Sequence, residues 1–263
     1  MIRITDTVKH LIIINVILWI TTLVLAERGI DLVKLLALHF PGNPDFKFWQ
    51  PITSMFMHST ESPTHLLFNM LGLWMFGSAL EMRWGKMKFL SFYMIAGVGA
   101  GLIHTLVNYY HVHTAQDLLL QSGLNPADIS ELFQPSLESF YNNLNRGFFN
   151  GHSIINPQAV FDNGASFYIP ALGASGALYG ILVAFGMLYP NTELMLLFLP
   201  IPIKAKYFIP GLLLLDFIGG ISGGISLFGA GKIAHFAHLG GALFGFLLML
   251  YFKKTEFNKN RWN

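Results

Sequence analysis

Between Leu11 and Ala26 the chain carries no charged residue, and comparable apolar runs return at residues 63–82, 89–109, 173–190, 208–221 and 233–252. A long apolar run fits either a buried core helix or a crossing of lipid. Composition separates the two: 53% of residues are hydrophobic, only 11% are charged, and the mean hydropathy is +0.52. Ordinary soluble domains carry about 25% charged residues. Lipid offers backbone groups no hydrogen-bond partner, so such runs must satisfy their own and coil into helices. The expectation is a single all-α membrane domain over 1–263, with spans near 10–26, 63–82, 89–109, 173–190, 208–221 and 233–252. The absence of cysteine excludes disulfides, thiolate catalysis and Cys-based zinc sites. A net charge of +2 gives no reason to expect a nucleic-acid partner.

The first run could be a signal peptide, because Arg3 and Lys9 precede it and Ala26 ends it. No A-x-A-like site precedes Glu27 and further spans follow, so an uncleaved first helix is expected. Residues 27–62 form a mixed connection, with Asp31 as a helix cap and Pro41-Gly42-Asn43-Pro44 as a turn. Residues 110–167 are too polar to cross and too long for an idle turn, and so form an insertion. Within it, Thr114 with Asp117 suggests one capping box, and Asn125-Pro126 suggests another helix start. Leu194 to Ile203, with two prolines, reads as an interfacial segment, and Gly219 to Gly231 as a flexible link. Six spans place both termini on one side. Eleven cations fall on that side, from Arg3 and Lys9 through Arg83, Lys86, Lys88, Lys204 and Lys206 to Lys253, Lys254, Lys259 and Arg261. Five fall opposite: Arg28, Lys34, Lys47, Arg146 and Lys232. The positive-inside rule then puts both termini in the cytoplasm, as in a bacterial inner membrane, with the insertion facing outward.

That topology puts His65, Ser175 and His238 at similar depth, each at the outer start of a span. A serine hydroxyl attacks only when a base takes its proton, and histidine is the usual base near neutrality. Ser175 opens a helix, where free N–H groups and the positive dipole end favour a developing oxyanion. His65 and Asn69 lie four apart, on one helix face, and both can donate hydrogen bonds. Gly176-x-x-x-Gly180 and Gly241-x-x-x-Gly245 are small-residue faces that let two membrane helices approach closely. Tyr179, one turn after Ser175, could pack on the imidazole. No acidic partner for His238 is evident, so a Ser175–His238 dyad is expected.

These residues resemble the rhomboid intramembrane serine proteases. The likeness rests on Gly173-Ala174-Ser175-Gly176 with Tyr179, on His238 with Gly241 and Gly245, and on His65 with Asn69. His58 as a second upstream histidine and Glu81 with Gly85 extend it. It covers roughly residues 8–109 and 168–252. The resemblance implies peptide-bond hydrolysis in or beside transmembrane segments of protein substrates within the bilayer, through an acyl-enzyme and without a metal or other cofactor. It implies Ser175 as nucleophile, His238 as base, and His65, Asn69 and the Ser175 N–H as oxyanion holders. Trp49-Gln50 stands where the family has Trp-Arg.

Each residue also has a plainer reading. Ser175 alone could bond back to a helical carbonyl, and His65 and Asn69 could tie helices together. His235 and His238 are three apart, without the glutamate of H-E-x-x-H or a third ligand, so no metal is expected and His235 reads as a packing residue. His104, His111, His113 and His152 read as solvated surface groups. Asp216 is a costly carboxylate inside a span, expected near a wet outer mouth and outside the catalytic set. The competing functions are a non-catalytic relative that binds membrane segments, and a small transporter, for which no internal repeat is found.

Overall fold

The computed structural model describes residues 3–134, 136–196, 199–222 and 232–259. Helix α1 spans Asp6–Ala26, short helices α2 and α3 span Leu32–Leu36 and Gln50–Thr53, and α4 spans Pro63–Gly72. A single wide π turn, Leu73–Gly77, joins α4 to α5, Ser78–Trp84. Helix α6, Lys86–Gln121, is followed by α7, Pro126–Phe133, and α8, Leu137–Asn145. A small hairpin, β1 Phe148–Phe149 with β2 His152–Ser153, leads to α9, Pro157–Gly164, and α10, Ser175–Leu188. A second hairpin, β3 Glu193–Leu196 with β4 Leu199–Lys204, precedes α11, Ala205–Ser222, and α12, Lys232–Lys259.

Helix α1, helix α6 and residues 235–254 of α12 are each long and apolar enough to cross a membrane; α10 is apolar but shorter. Glu81 on α5 ties the first helix down. Its carboxylate accepts the Thr7 and Val8 N–H groups at 3.0 Å each and the Thr5 hydroxyl, so it caps the start of α1. Gly85 turns the chain from α5 into α6 with φ +80°, a conformation that favours glycine.

Helices α6, α10 and α12 form the centre, and glycine decides their spacing. A β-carbon added at Gly241 would lie 1.8 Å from the Gly176 carbonyl oxygen, and one at Gly245 would lie 2.5 Å from Gly180 Cα. On the other flank, one at Gly176 would lie 2.5 Å from Ala100 Cβ of α6. The backbones therefore touch where these positions are bare.

Two expectations change. Helix α6 does not end near residue 109 but continues to Gln121 as one rod. At 1.5 Å per residue it is about 54 Å long, well beyond a hydrocarbon core of about 30 Å. Thr114 therefore caps nothing; it lies mid-helix and donates back to the Tyr110 carbonyl. The second proposed start holds, because Asn125 and Asp128 form a reciprocal capping box on α7. Within the segment expected at the interface, residues 194–196 and 199–203 pair in the β3–β4 hairpin, where two prolines are tolerated because a two-stranded ribbon leaves one edge of each strand unpaired. Most of the glycine-rich link, 223–231, lies outside the described residues.

Residues 110–168 build a core of their own from Ala115, Leu119, Ile129, Leu132, Phe133, Phe140 and Val160. The stripe that α6 buries, His104, Asn108, Val112, Ala115 and Leu119, repeats at helical spacing through both regions.

Candidate active site

Ser175 is the first residue of α10. The loop before it is held from two sides: Leu38 and Ala171 exchange backbone hydrogen bonds at 2.8 Å, and the Gly173 N–H donates to the Ser54 carbonyl at 2.9 Å. Gly173 has φ +126°, which favours glycine. Ala174 occupies the cap position and has no side-chain acceptor, so the first N–H groups of α10 are left without a cap.

The Ser175 hydroxyl lies 2.9 Å from His238 Nε2 on α12. His238 is buried, while Ser175 is half-buried and reachable. The Tyr179 ring stacks on the imidazole, centroids 4.3 Å apart and planes 11° from parallel. His65 closes the opposite side. A β-carbon at Gly173 would come 3.0 Å from His65 Cε1, 3.1 Å from its Nε2 and 3.6 Å from the Ser175 hydroxyl. The bare face of Gly173 is thus a small space bounded by the His65 ring and the serine oxygen. Asn69 is buried behind His65, and its amide lies 3.0 Å from His58 Nε2.

The residues singled out in the sequence therefore converge, and one that was set aside joins them. Asp216 on α11 is buried, at 5% exposure, rather than wetted. Its Oδ1 is 2.5 Å from His235 Nδ1, and its two oxygens are 3.5 and 3.4 Å from His238 Nδ1. His238 thus has an acidic neighbour, which corrects the expectation of a bare pair. His235 is more than packing, because it grips the same carboxylate. The contact joins two consecutive helices and depends on how α11 packs against α12, which local pattern does not encode. The available signal was the cost of a carboxylate inside a span, which requires a partner. Among the described residues, no three ligating side chains are arranged to hold a metal.

His104 is also misread from sequence: it is buried at 2% exposure, with Asn108 Nδ2 2.9 Å from its Nε2. His111 donates to Asn163 across to α9 at 2.8 Å. Gln50, at the position of the family arginine, is fully buried and staples the first connection. It accepts from the His39 N–H at 3.2 Å and donates to the Asp45 carbonyl at 2.8 Å and the Lys34 carbonyl at 3.2 Å.

Fold and site define a class: a helical membrane protein with a serine hydroxyl bonded to an imidazole across two glycine-packed helices. A rhomboid-domain family model matches residues 45–116 and 148–255, and the chain belongs to the rhomboid family. The stretch 117–147 lies between the matched blocks, within the insertion. The rhomboid protease AarA of Providencia stuartii is 40% identical over 65 residues, 25% of this chain and 22% of that protein. An uncharacterized mitochondrial rhomboid protein of Schizosaccharomyces pombe is 28% identical over 215 residues, covering 78% of this chain and 50% of its own. Mitochondrial rhomboid protein 1 of Saccharomyces cerevisiae is 27% identical over 191 residues, 73% of this chain and 38% of its own. The chain thus spans between 22% and 50% of the length of these relatives. With both bacterial and mitochondrial relatives, kinship does not select the bacterial inner membrane.

Proposed function

We propose that the chain is an intramembrane serine endopeptidase that cuts transmembrane or membrane-adjacent segments of other proteins. The observation that carries this reading is the 2.9 Å contact of the Ser175 hydroxyl with His238 Nε2. Ser175 Oγ attacks the scissile carbonyl carbon while its proton passes to His238 Nε2. The carbonyl oxygen becomes an anion in the space beside Gly173, with the uncapped N–H of Ser175 and the His65 ring at its edge. Asn69 supports that side through His58. Collapse of the tetrahedral adduct breaks the C–N bond, and His238 returns the proton to the departing amine. Water then attacks the acyl-enzyme by the same route, releasing the acid and restoring the hydroxyl. Tyr179 holds the imidazole plane throughout.

We further infer that 1–263 acts as one membrane domain with six crossings. The cation count favours both termini in the cytoplasm and the insertion on the opposite face.

The test is cleavage of a model transmembrane substrate by detergent-purified protein. Ser175→Ala and His238→Ala should each lower turnover at least about 10³-fold, and fluorophosphonate labelling should vanish in Ser175→Ala. Cleavage that survives either change removes the dyad. A wild-type protein that folds and binds segments but never labels would favour the non-catalytic reading.

A further inference from the structure

We propose that Asp216 is a positioning residue for His238 and that His235 holds Asp216 in place, so that the working unit is Ser175–His238–Asp216–His235. This rests on the protease reading of Ser175 and His238. For Nε2 to accept the serine proton, the neutral ring must carry its own proton at Nδ1. The acceptor facing that Nδ1 is Asp216, 3.5 Å away at Oδ1 and 3.4 Å at Oδ2. When Nε2 takes the serine proton the ring becomes a cation. A carboxylate beside it, away from water, stabilises that charge where the barrier is highest.

The carboxylate is itself constrained. His235 Nδ1 donates to Oδ1 at 2.5 Å, and His235 Nε2 has no hydrogen-bond partner among the described residues. A neutral ring protonated at Nδ1 fits both facts, because Nε2 is then a bare lone pair rather than a stranded donor. The backbone supplies the seat. Gly219 follows Asp216 by three residues on the same face of α11. A β-carbon there would lie 2.7 Å from His235 Cε1 and 2.8 Å from its Nε2. Asp216 with Gly219 on one helix thus faces His235 with His238 on the next, each pair three residues apart.

A carboxylate that merely tied α11 to α12 would affect folding; one that positions a base affects turnover. Asp216→Asn retains the shape but can donate to His238 Nδ1, which leaves the imidazole proton on Nε2 and blocks acceptance from Ser175. Cleavage of the model substrate should then show kcat reduced about 10²-fold. KM should stay within about threefold, and Tm in detergent should be unchanged. His235→Gln should lose about tenfold in kcat, and the double variant should be no slower than Asp216→Asn alone, because His235 acts through the carboxylate. A wild-type kcat in Asp216→Asn, or a double variant slower by the product of both losses, overturns the proposal. Should Asp216→Asn fold poorly, Gly219→Ala displaces the His235 ring and leaves the carboxylate. Its kcat should fall about tenfold at constant KM, and an unchanged kcat overturns the proposal equally. The Ser175→Ala control keeps the two readings apart. If it still cleaves, the protease reading itself fails; if it is inert while Asp216→Asn is fully active, only the positioning role fails.

Discussion

The bundle around Ser175 and the insertion of residues 110–168 cohere in opposite ways. Helices α10 and α12 meet backbone to backbone, and the missing side chains of Gly176, Gly180, Gly241 and Gly245 are what allow it. The insertion is instead filled by rings: Phe133 and Phe140 lie 4.8 Å apart and Phe140 and Tyr168 5.5 Å apart. Its helices start on side-chain caps, Asn125, Ser136 and Asn156, whereas α10 starts on Ala174, with none. Solvent explains the contrast. Lipid gives apolar side chains no reason to prefer one another, so helices there bind through close contact. Water makes burying rings worthwhile and competes for uncapped ends. The α10–α12 contact therefore depends on atoms that are absent, the core of the insertion on atoms that are present.

The sharpest way to break that contrast is to add atoms to the bundle. In Gly241→Val the new Cβ would occupy the place of the Gly176 carbonyl, with 1.8 Å between them. Helices α10 and α12 must part, taking Ser175 from His238. Cleavage should fall by at least about 10²-fold although Ser175 and His238 are themselves unchanged. Normal turnover would show that the close approach is dispensable. Removing atoms from the insertion is the matching experiment. Phe140 is fully buried in its centre. Phe140→Ala should cost about 3–5 kcal/mol of local stability. Limited proteolysis should then find new cuts between residues 122 and 165, while kcat stays within about threefold. A collapse of kcat would mean that the two regions are one cooperative unit.

The same contrast explains what the sequence disclosed. Apolar runs mark helices in lipid, and small residues at four-residue spacing mark their contacts, so the bundle and the grouping of His65, Asn69, Ser175, Tyr179 and His238 were legible. The continuation of α6 was not. Residues 110–121 are mixed in polarity, and Thr114 with Asp117 imitates a helix start. The helix persists because Val112, Ala115 and Leu119 bury a stripe against the insertion, a tertiary contact. Asp216 was missed for a related reason. Its meeting with His235 and His238 depends on how α11 leans on α12, which local pattern does not encode.

Gln50 lies between the two regimes, in a connection held neither by glycines nor by a ring cluster. One fully buried amide gathers three backbone segments there. Gln50→Ala would leave the His39 N–H and the Asp45 carbonyl without that partner, at about 1–3 kcal/mol. The same connection holds the loop before Ser175 through Leu38 and Ser54. A moderate fall in Tm with a several-fold loss of cleavage is therefore expected. An unchanged Tm would show that water replaces the amide and that the Leu38–Ala171 and Ser54–Gly173 hydrogen bonds hold the loop without it.

The smallest effect belongs to the outermost cap. Asp128 accepts the Asn125 N–H at 3.1 Å and the Asn150 amide at 2.9 Å. The Asn150 hydrogen bond, then that of Asn125, holds its carboxyl below the ordinary carboxylate range. A carboxyl that is more acidic when folded stabilises the fold above its unfolded pKa, near 3.9. That stabilisation fades as pH falls through the lower folded value. Amide exchange at the start of α7 should therefore be flat from pH 7 to about pH 5, once corrected for intrinsic rates, and should rise only on further acidification. Asp128→Asn should exchange faster than wild type at pH 7 and converge with it in acid. Cleavage at pH 7 should be the same in both, because this cap touches neither the ring cluster's centre nor α10. Convergence at neutral pH instead would mean that the Asn125 side chain caps α7 alone and that the reciprocal half of the box carries no weight.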